Sequence, residues 1–134
     1  MDYTSIKTQA DIRTFLEKTN SLHDGYYISI EYSHKGIQRN KDGGLFIEPY
    51  KNELIVKVLV TSMWDITVEL RFTGILEHQI HENYGNDIFC VDINFDEHGL
   101  IIWSDEKWNP NNQEKMSYVK ALNMDWRIVN YYNT

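Results

Sequence analysis

Tyr26, Ile28, Ile30 and Tyr32 alternate with Tyr27, Ser29, Glu31 and Ser33. This two-residue period predicts a strand, because successive side chains of a strand point to opposite faces. The pattern returns at Leu54, Val56, Val58 and Val60. It is cleanest at Ile66, Val68, Leu70 and Phe72, set against Thr67, Glu69, Arg71 and Thr73. Phe89, Val91, Ile93 and Phe95 repeat it, as do Leu122, Met124, Trp126 and Ile128. Short apolar runs at 45–48 and 100–103 add further strands, and residues 75–82 fit a strand or a helix equally well. Asp42-Gly43-Gly44, Tyr84-Gly85-Asn86-Asp87, Glu97-His98-Gly99 and Asn109-Pro110-Asn111-Asn112 punctuate these segments as turns or loops.

The N-terminal part follows a different period. Thr8-Gln9-Ala10-Asp11 has the spacing of a capping box, with Asp in place of Glu, so a helix should begin after Thr8. Ile12, Phe15 and Leu16 then share one face, and Asn20-Ser21 marks the exit. Strand after strand with no intervening helix implies antiparallel pairing. The expected architecture is one α+β domain over 1–134. Its N-terminal helix packs on a mainly antiparallel, curled sheet of about seven or eight strands. Its core should hold Ile12, Phe15, Leu16, Ile28, Ile30, Val56, Val58, Val68, Leu70, Phe72, Val91, Ile93, Leu122, Met124, Trp126 and Ile128.

Composition narrows the class. The chain has 134 residues, 42% apolar and 25% charged, which fits a globular domain able to bury its own core. No apolar run approaches the ~18 residues of a membrane span, and the first residues lack the apolar stretch of a signal peptide. A single cysteine, Cys90, forms no internal bridge, so a reducing, cytoplasmic setting is expected. Thirteen basic against twenty acidic residues give a charge of −7. That balance argues against nucleic acid, whose phosphates need clustered Lys and Arg; it fits the ordinary solubility of a cytoplasmic protein and would also attract a basic protein partner.

Candidate chemistry is sparse. His23-Asp24 is a pair found in metal-dependent phosphohydrolases, yet here it precedes a strand, and Asp24-Gly25 suits a turn. His78 and His81 could share a metal on a helix but would face opposite ways on a strand. Asp92, Asn94 and Asp96 have the alternate-residue oxygens of a calcium loop, but Glu97 stands where such a loop needs glycine. No nucleophile elbow or phosphate loop is present, and no cofactor is expected. Trp103 and Trp108 flank Ser104-Asp105-Glu106-Lys107, which reads as an exposed loop. Tryptophan beside carboxylates is a good anchor for a protein partner, while the same two rings could instead pack over the sheet edge. The candidate binding residues are therefore His23, Asp24, Asp92, Asp96, Trp103, Asp105, Glu106 and Trp108.

The Leu22-His23-Asp24-Gly25 turn with the strand after it resembles the opening of a group of small, mostly uncharacterised bacterial proteins. Val68–Ile75 and Met124-Asp125-Trp126-Arg127-Ile128 add to the resemblance. Some members of that group look like immunity proteins of toxin systems. Leu22 and Gly25 stand where Phe and Ala are common. The resemblance implies a β-rich bacterial binding domain and carries over no catalytic residue. Three functions follow as expectations: a non-enzymatic, immunity-like protein binder, a small-molecule binder or enzyme using a cavity of the curled sheet, and a homodimer paired through a strand edge.

Overall fold

The computed structural model describes residues 2–81 and 87–129. Most of the turn expected at 84–87 and the last residue of the 75–82 segment lie outside them. Among the described residues the chain forms β1 (Thr4–Ser5), α1 (Gln9–Lys18), β2 (Gly25–His34), β3 (Ile37–Arg39) and β4 (Leu45–Ile47). After these come β5 (Asn52–Val60), β6 (Ile66–Gln79), β7 (Asp92–Phe95), β8 (Ile101–Ser104) and β9 (Tyr118–Val129).

Seven strands make one antiparallel sheet in the order β2-β5-β6-β9-β8-β7, with β1 also on β9. The class is α+β and mostly β. The capping box forms as the spacing predicts: Thr8 Oγ1 accepts from the Asp11 amide at 3.1 Å, and Asp11 Oδ2 accepts from the Thr8 amide at 3.0 Å. The helix lies against the sheet through Phe15, whose ring meets Trp126 edge-on at 5.2 Å.

Leu54, Val56, Val58 and Val60 of β5 stand opposite Phe72, Leu70, Val68 and Ile66 of β6, and Met124 and Trp126 of β9 extend the layer. All but the half-buried Ile66 are buried, and they form the core with Phe15, Leu22 and Trp103. The sheet curls. In a flat sheet β2 and β8 would lie four strand spacings, ~19 Å, apart. Yet the rings of Tyr27 and Trp103 are 6.5 Å apart, and Tyr27 Oη donates to Asp105 Oδ2 at 2.8 Å. The sheet does not close. Gly25 pairs with Ile88, but no ladder joins β2 to β7 among the described residues.

Two slips in the side-chain phase correct the expected core. In β2, Tyr27 pairs with Val58 and Ser29 with Lys57, leaving Ile28 as a bulge. Tyr26 therefore points away from the core, while Ile30 and Tyr32 share a face with Val56 and Leu54. Because β2 is an outer strand, Ile28 and Ile30 remain 44% and 40% exposed, not core residues as expected. The second change begins at Gly74, whose φ of +67° disfavours any side chain and whose missing Cβ would sit 2.7 Å from Leu122 Cδ1, and the β6–β9 register then shifts between Ile75 and Glu77. Before it β9 buries Trp126 and Met124; beyond it the buried residues are Ala121 and Val119. Leu122 falls at the change and is 49% exposed, again contrary to expectation.

Segment 75–81 resolves as strand through Gln79. His78 stacks on Tyr32 with ring centroids 5.0 Å apart, and the amide of His81 donates to Ser117 Oγ at 2.7 Å. No described helix is long and apolar enough to cross a membrane.

Candidate functional site

Three loops meet at the start of β2. The first leaves α1 through Asn20, Ser21 and Leu22, all left-handed with φ between 52° and 55°, and Asp24 follows at 57°. The second runs from Thr61 to Asp65, with Trp64 and Asp65 at 60° and 58°. The third is 87–91. Left-handed backbone costs ~1–2 kcal/mol per non-glycine residue, so six such residues need firm support.

Leu22 supplies part of that support, being wholly buried in the core. Hydrogen bonds supply the rest. Ser62 Oγ donates to the His23 carbonyl at 2.5 Å, and Thr61 Oγ1 to the Asp24 carbonyl at 2.8 Å. The amides of Asp24 and Val91 donate to the carbonyls of Ile88 and Ser21 at 2.9 and 3.0 Å. His23 Nδ1 lies 2.6 Å from the Phe89 carbonyl. A carbonyl only accepts, so Nδ1 carries the proton. The imidazole also meets the Phe89 ring edge-on at 5.4 Å, and its Nε2 is 3.5 Å from Asp24 Oδ2. His23-Asp24 is thus a brace between loops.

The braced surface is apolar at two points and acidic around them. Trp64 is 93% exposed and Phe89 76% exposed. Phe89 and Cys90 open onto a groove of about 490 Å³ lined also by Asp92, Asn94, Glu106 and Lys107. Asp24, Asp65, Asp87, Asp92 and Glu106 stand against Lys107 across the three loops and the groove.

Of the eight residues nominated from the sequence, the structure brings His23, Asp24, Asp92 and Glu106 to this end. Asp92 Oδ2 accepts from the Trp108 amide at 2.9 Å and from Asn94 Nδ2 at 3.0 Å, fixing one wall of the groove. The other four are framework. Trp103 is wholly buried against Phe72 and Tyr27, so it is no exposed anchor: the exposed loop begins after it. Trp108 is half-buried with its ring 5.1 Å from Tyr118. Asp105 is held by Tyr27, and burial raises its carboxyl above the usual range. Asp96 lies in the β7–β8 turn, where its Oδ1 accepts from the amides of His98 and Leu100 at 2.9 Å and Lys120 stands 3.5 Å away. Burial pushes the Asp96 carboxyl up, but these partners outweigh it and hold the group below the usual range.

Sequence reasoning missed Trp64 and Phe89. The signal was present: Trp64-Asp65 is a large ring in the short link between two alternating segments, where nothing offers it a core.

A second concentration of charge lies on the reverse face of the central strands. Glu69, 4% exposed, takes Arg127 Nε at 2.7 Å, Lys57 Nζ at 3.7 Å and the Tyr3 hydroxyl. Asp125 takes Arg71 through Nη2 at 2.8 Å and Ser5 Oγ at 2.6 Å. The guanidinium carbons of Arg71 and Arg127 lie 3.9 and 4.4 Å from the centroid of the Tyr3 ring. Burial and the bond to Glu69 push the Tyr3 hydroxyl up to about 12. Charges here are matched within the fold, which makes this network a staple for β1.

Comparison with protein-family models, curated proteins and solved structures yields no match. The functional reading rests on the geometry.

Proposed function

We propose that this chain is a non-enzymatic protein-binding domain of the immunity type, whose acidic loop cluster covers a basic partner. The observation that carries this reading is the exposure of Trp64 and Phe89 on contacting loops that, with the groove, carry five carboxylates and one lysine. Fully wet aromatic rings are costly on a free surface and become binding anchors when a partner desolvates them. The surrounding carboxylates would steer a basic protein toward them and set the salt dependence of the encounter. The strained loops fit the same role, since the hydrogen bonds described above fix the backbone of the loops that carry the rings before contact, lowering the entropy lost on binding. A small-molecule site inside the curl has less support, because Trp103, Phe72, Leu54 and Val58 fill that side.

The test is capture by the immobilised full chain from its native host at low and high salt, alongside Trp64→Ser/Phe89→Ser and Asp65→Lys/Glu106→Lys variants. The reading expects one stoichiometric basic protein, retained at low salt, weakened at high salt and lost with both variants while their melting temperatures stay close to the parent. Absence of such a partner, or unchanged capture by both variants, overturns it.

A further inference from the structure

Among the described residues, nine of the thirteen exposed large apolar side chains lie between residues 26 and 50, on the strand and arm that run out from the loop cluster. This segment is one continuous hairpin. β2 and β5 form its base, and the ladder runs on through Lys35 N to Lys51 O and Glu48 N to Gly36 O, both 2.7 Å, into the β3–β4 arm. The arm forms a two-stranded sheet of its own, and every residue in its strands is exposed. An uncovered two-stranded ribbon is only marginally stable in water. Its register nevertheless puts Ile37, Ile47 and Leu45 on one face, at 54%, 58% and 60% exposure. Below it, the outer edge of β2 beyond Gly25 has no strand partner among the described residues.

We propose that this surface is a self-association site, in which a second copy of this chain lays its own arm and β2 edge against them about a two-fold axis. Charge selects the occupant. Residues 26–51 hold four cations and three carboxylates, net +1, in a chain of net −7, so the remainder carries −8. A basic partner would be drawn to the remainder. Two copies can meet here without bringing their acidic surfaces together. An apolar, nearly neutral patch is also self-complementary, as a two-fold interface requires. Area agrees with a modest interface. Tyr26 and Phe46 face the other way; Ile30, Tyr32, Ile37, Leu45 and Ile47, about half exposed, offer roughly 500 Å², so two copies would bury ~1,000 Å² of apolar surface, the lower bound of a specific interface. β2 carries Glu31 as its only carboxylate and neither Lys nor Pro, so little on it discourages edge pairing.

The experiment is sedimentation of the full chain from low micromolar to near-millimolar concentration, at low and high salt. It is run beside Leu45→Lys/Ile47→Lys, whose parent side chains touch no core, and with hydrogen exchange read at residues 26–47. The proposal expects a concentration-dependent dimer that persists at high salt and gains amide protection in that segment. The variant should weaken it by at least ~10-fold while keeping its melting temperature. A monomer throughout, a dimer the variant leaves intact, or protection confined to other segments overturns it. Protection of 26–47 only on adding a heterologous partner would assign the surface to that partner instead and likewise overturn self-association. Persistence at high salt separates this interface from the salt-sensitive capture above, so either reading can fail alone.

Discussion

β2 and β5 are neighbours with nearly the same pattern of apolar residues, yet they fare oppositely. Leu54, Val56, Val58 and Val60 are wholly buried, whereas Tyr26, Ile28, Ile30 and Tyr32 are 39–48% exposed. Ile30 and Val56 are even direct partners across the ladder. Alternation specifies that a segment will be a strand. Burial depends on what flanks that strand, and β5 has a neighbour on each side while β2 has one. The bulge at Ile28 widens the difference by splitting the apolar row of β2 between two faces.

The sharpest break of this comparison is a matched pair of substitutions. Val56→Asp should abolish folding, with a loss above ~4 kcal/mol, because it buries an unpaired charge. Ile30→Asp, its ladder partner, should leave a folded domain within about 1 kcal/mol of the parent. Circular dichroism and urea unfolding read both. Equal losses would mean that β2 is as enclosed as β5.

The reverse face of the same central strands gives the next largest effect. Glu69→Ala strips Arg127 and Lys57 of a buried partner and should cost about 2–3 kcal/mol in urea unfolding, the two cations left behind being 31% and 41% exposed and open to water. Its pH dependence has a definite sign. Burial raises the Glu69 carboxyl, but Tyr3, Arg127 and Lys57 more than offset this and leave it below the ordinary value. Its stabilisation is therefore present above the ordinary glutamate value of 4.5 and lost as pH falls through the lowered one.

Gly74→Ala, where β6 changes phase, comes third. The left-handed backbone and the clash with Leu122 should together cost ~1–3 kcal/mol. The smallest effect is at the tie between β2 and the loop after β8. Asp105 is raised in the native state, so its contribution is full below the ordinary aspartate value and declines as pH rises through the raised one. Asp105→Asn can still accept from Tyr27. It should flatten that decline and change stability near neutral pH by no more than ~1 kcal/mol. A steeper decline in the variant would contradict the assignment.

The helix, its capping box and four of the five alternating segments were legible because each signal is local in sequence; of the segment expected at 89–95 only Asp92–Phe95 forms a strand, and Phe89 lies exposed before it. The two phase slips were not. Ile28 looks like any strand residue until β5 sets the register, and Gly74 is a plain glycine until Leu122 lies over it. The His23-Asp24 turn was legible for the same local reason. Trp103 was misplaced because its loop-like flank, Ser104 to Lys107, hides that its own ring points at Phe72. Glu69 and Arg71 were visible as outward charges, but Tyr3 and Asp125, which complete their network, lie 66 residues before Glu69 and 54 residues after Arg71 in the chain.

β9 is the last described strand to be synthesised, and it occupies the middle of the sheet, between β6 and both β1 and β8. Phe15 of the first helix also waits for Trp126. On the ribosome, the β2–β5–β6 meander therefore emerges with the inner edge of β6 bare, and no complete core can assemble until residue 129 has cleared the exit tunnel. Until then the β9 side of β6 is an unpaired strand edge, open to mispairing.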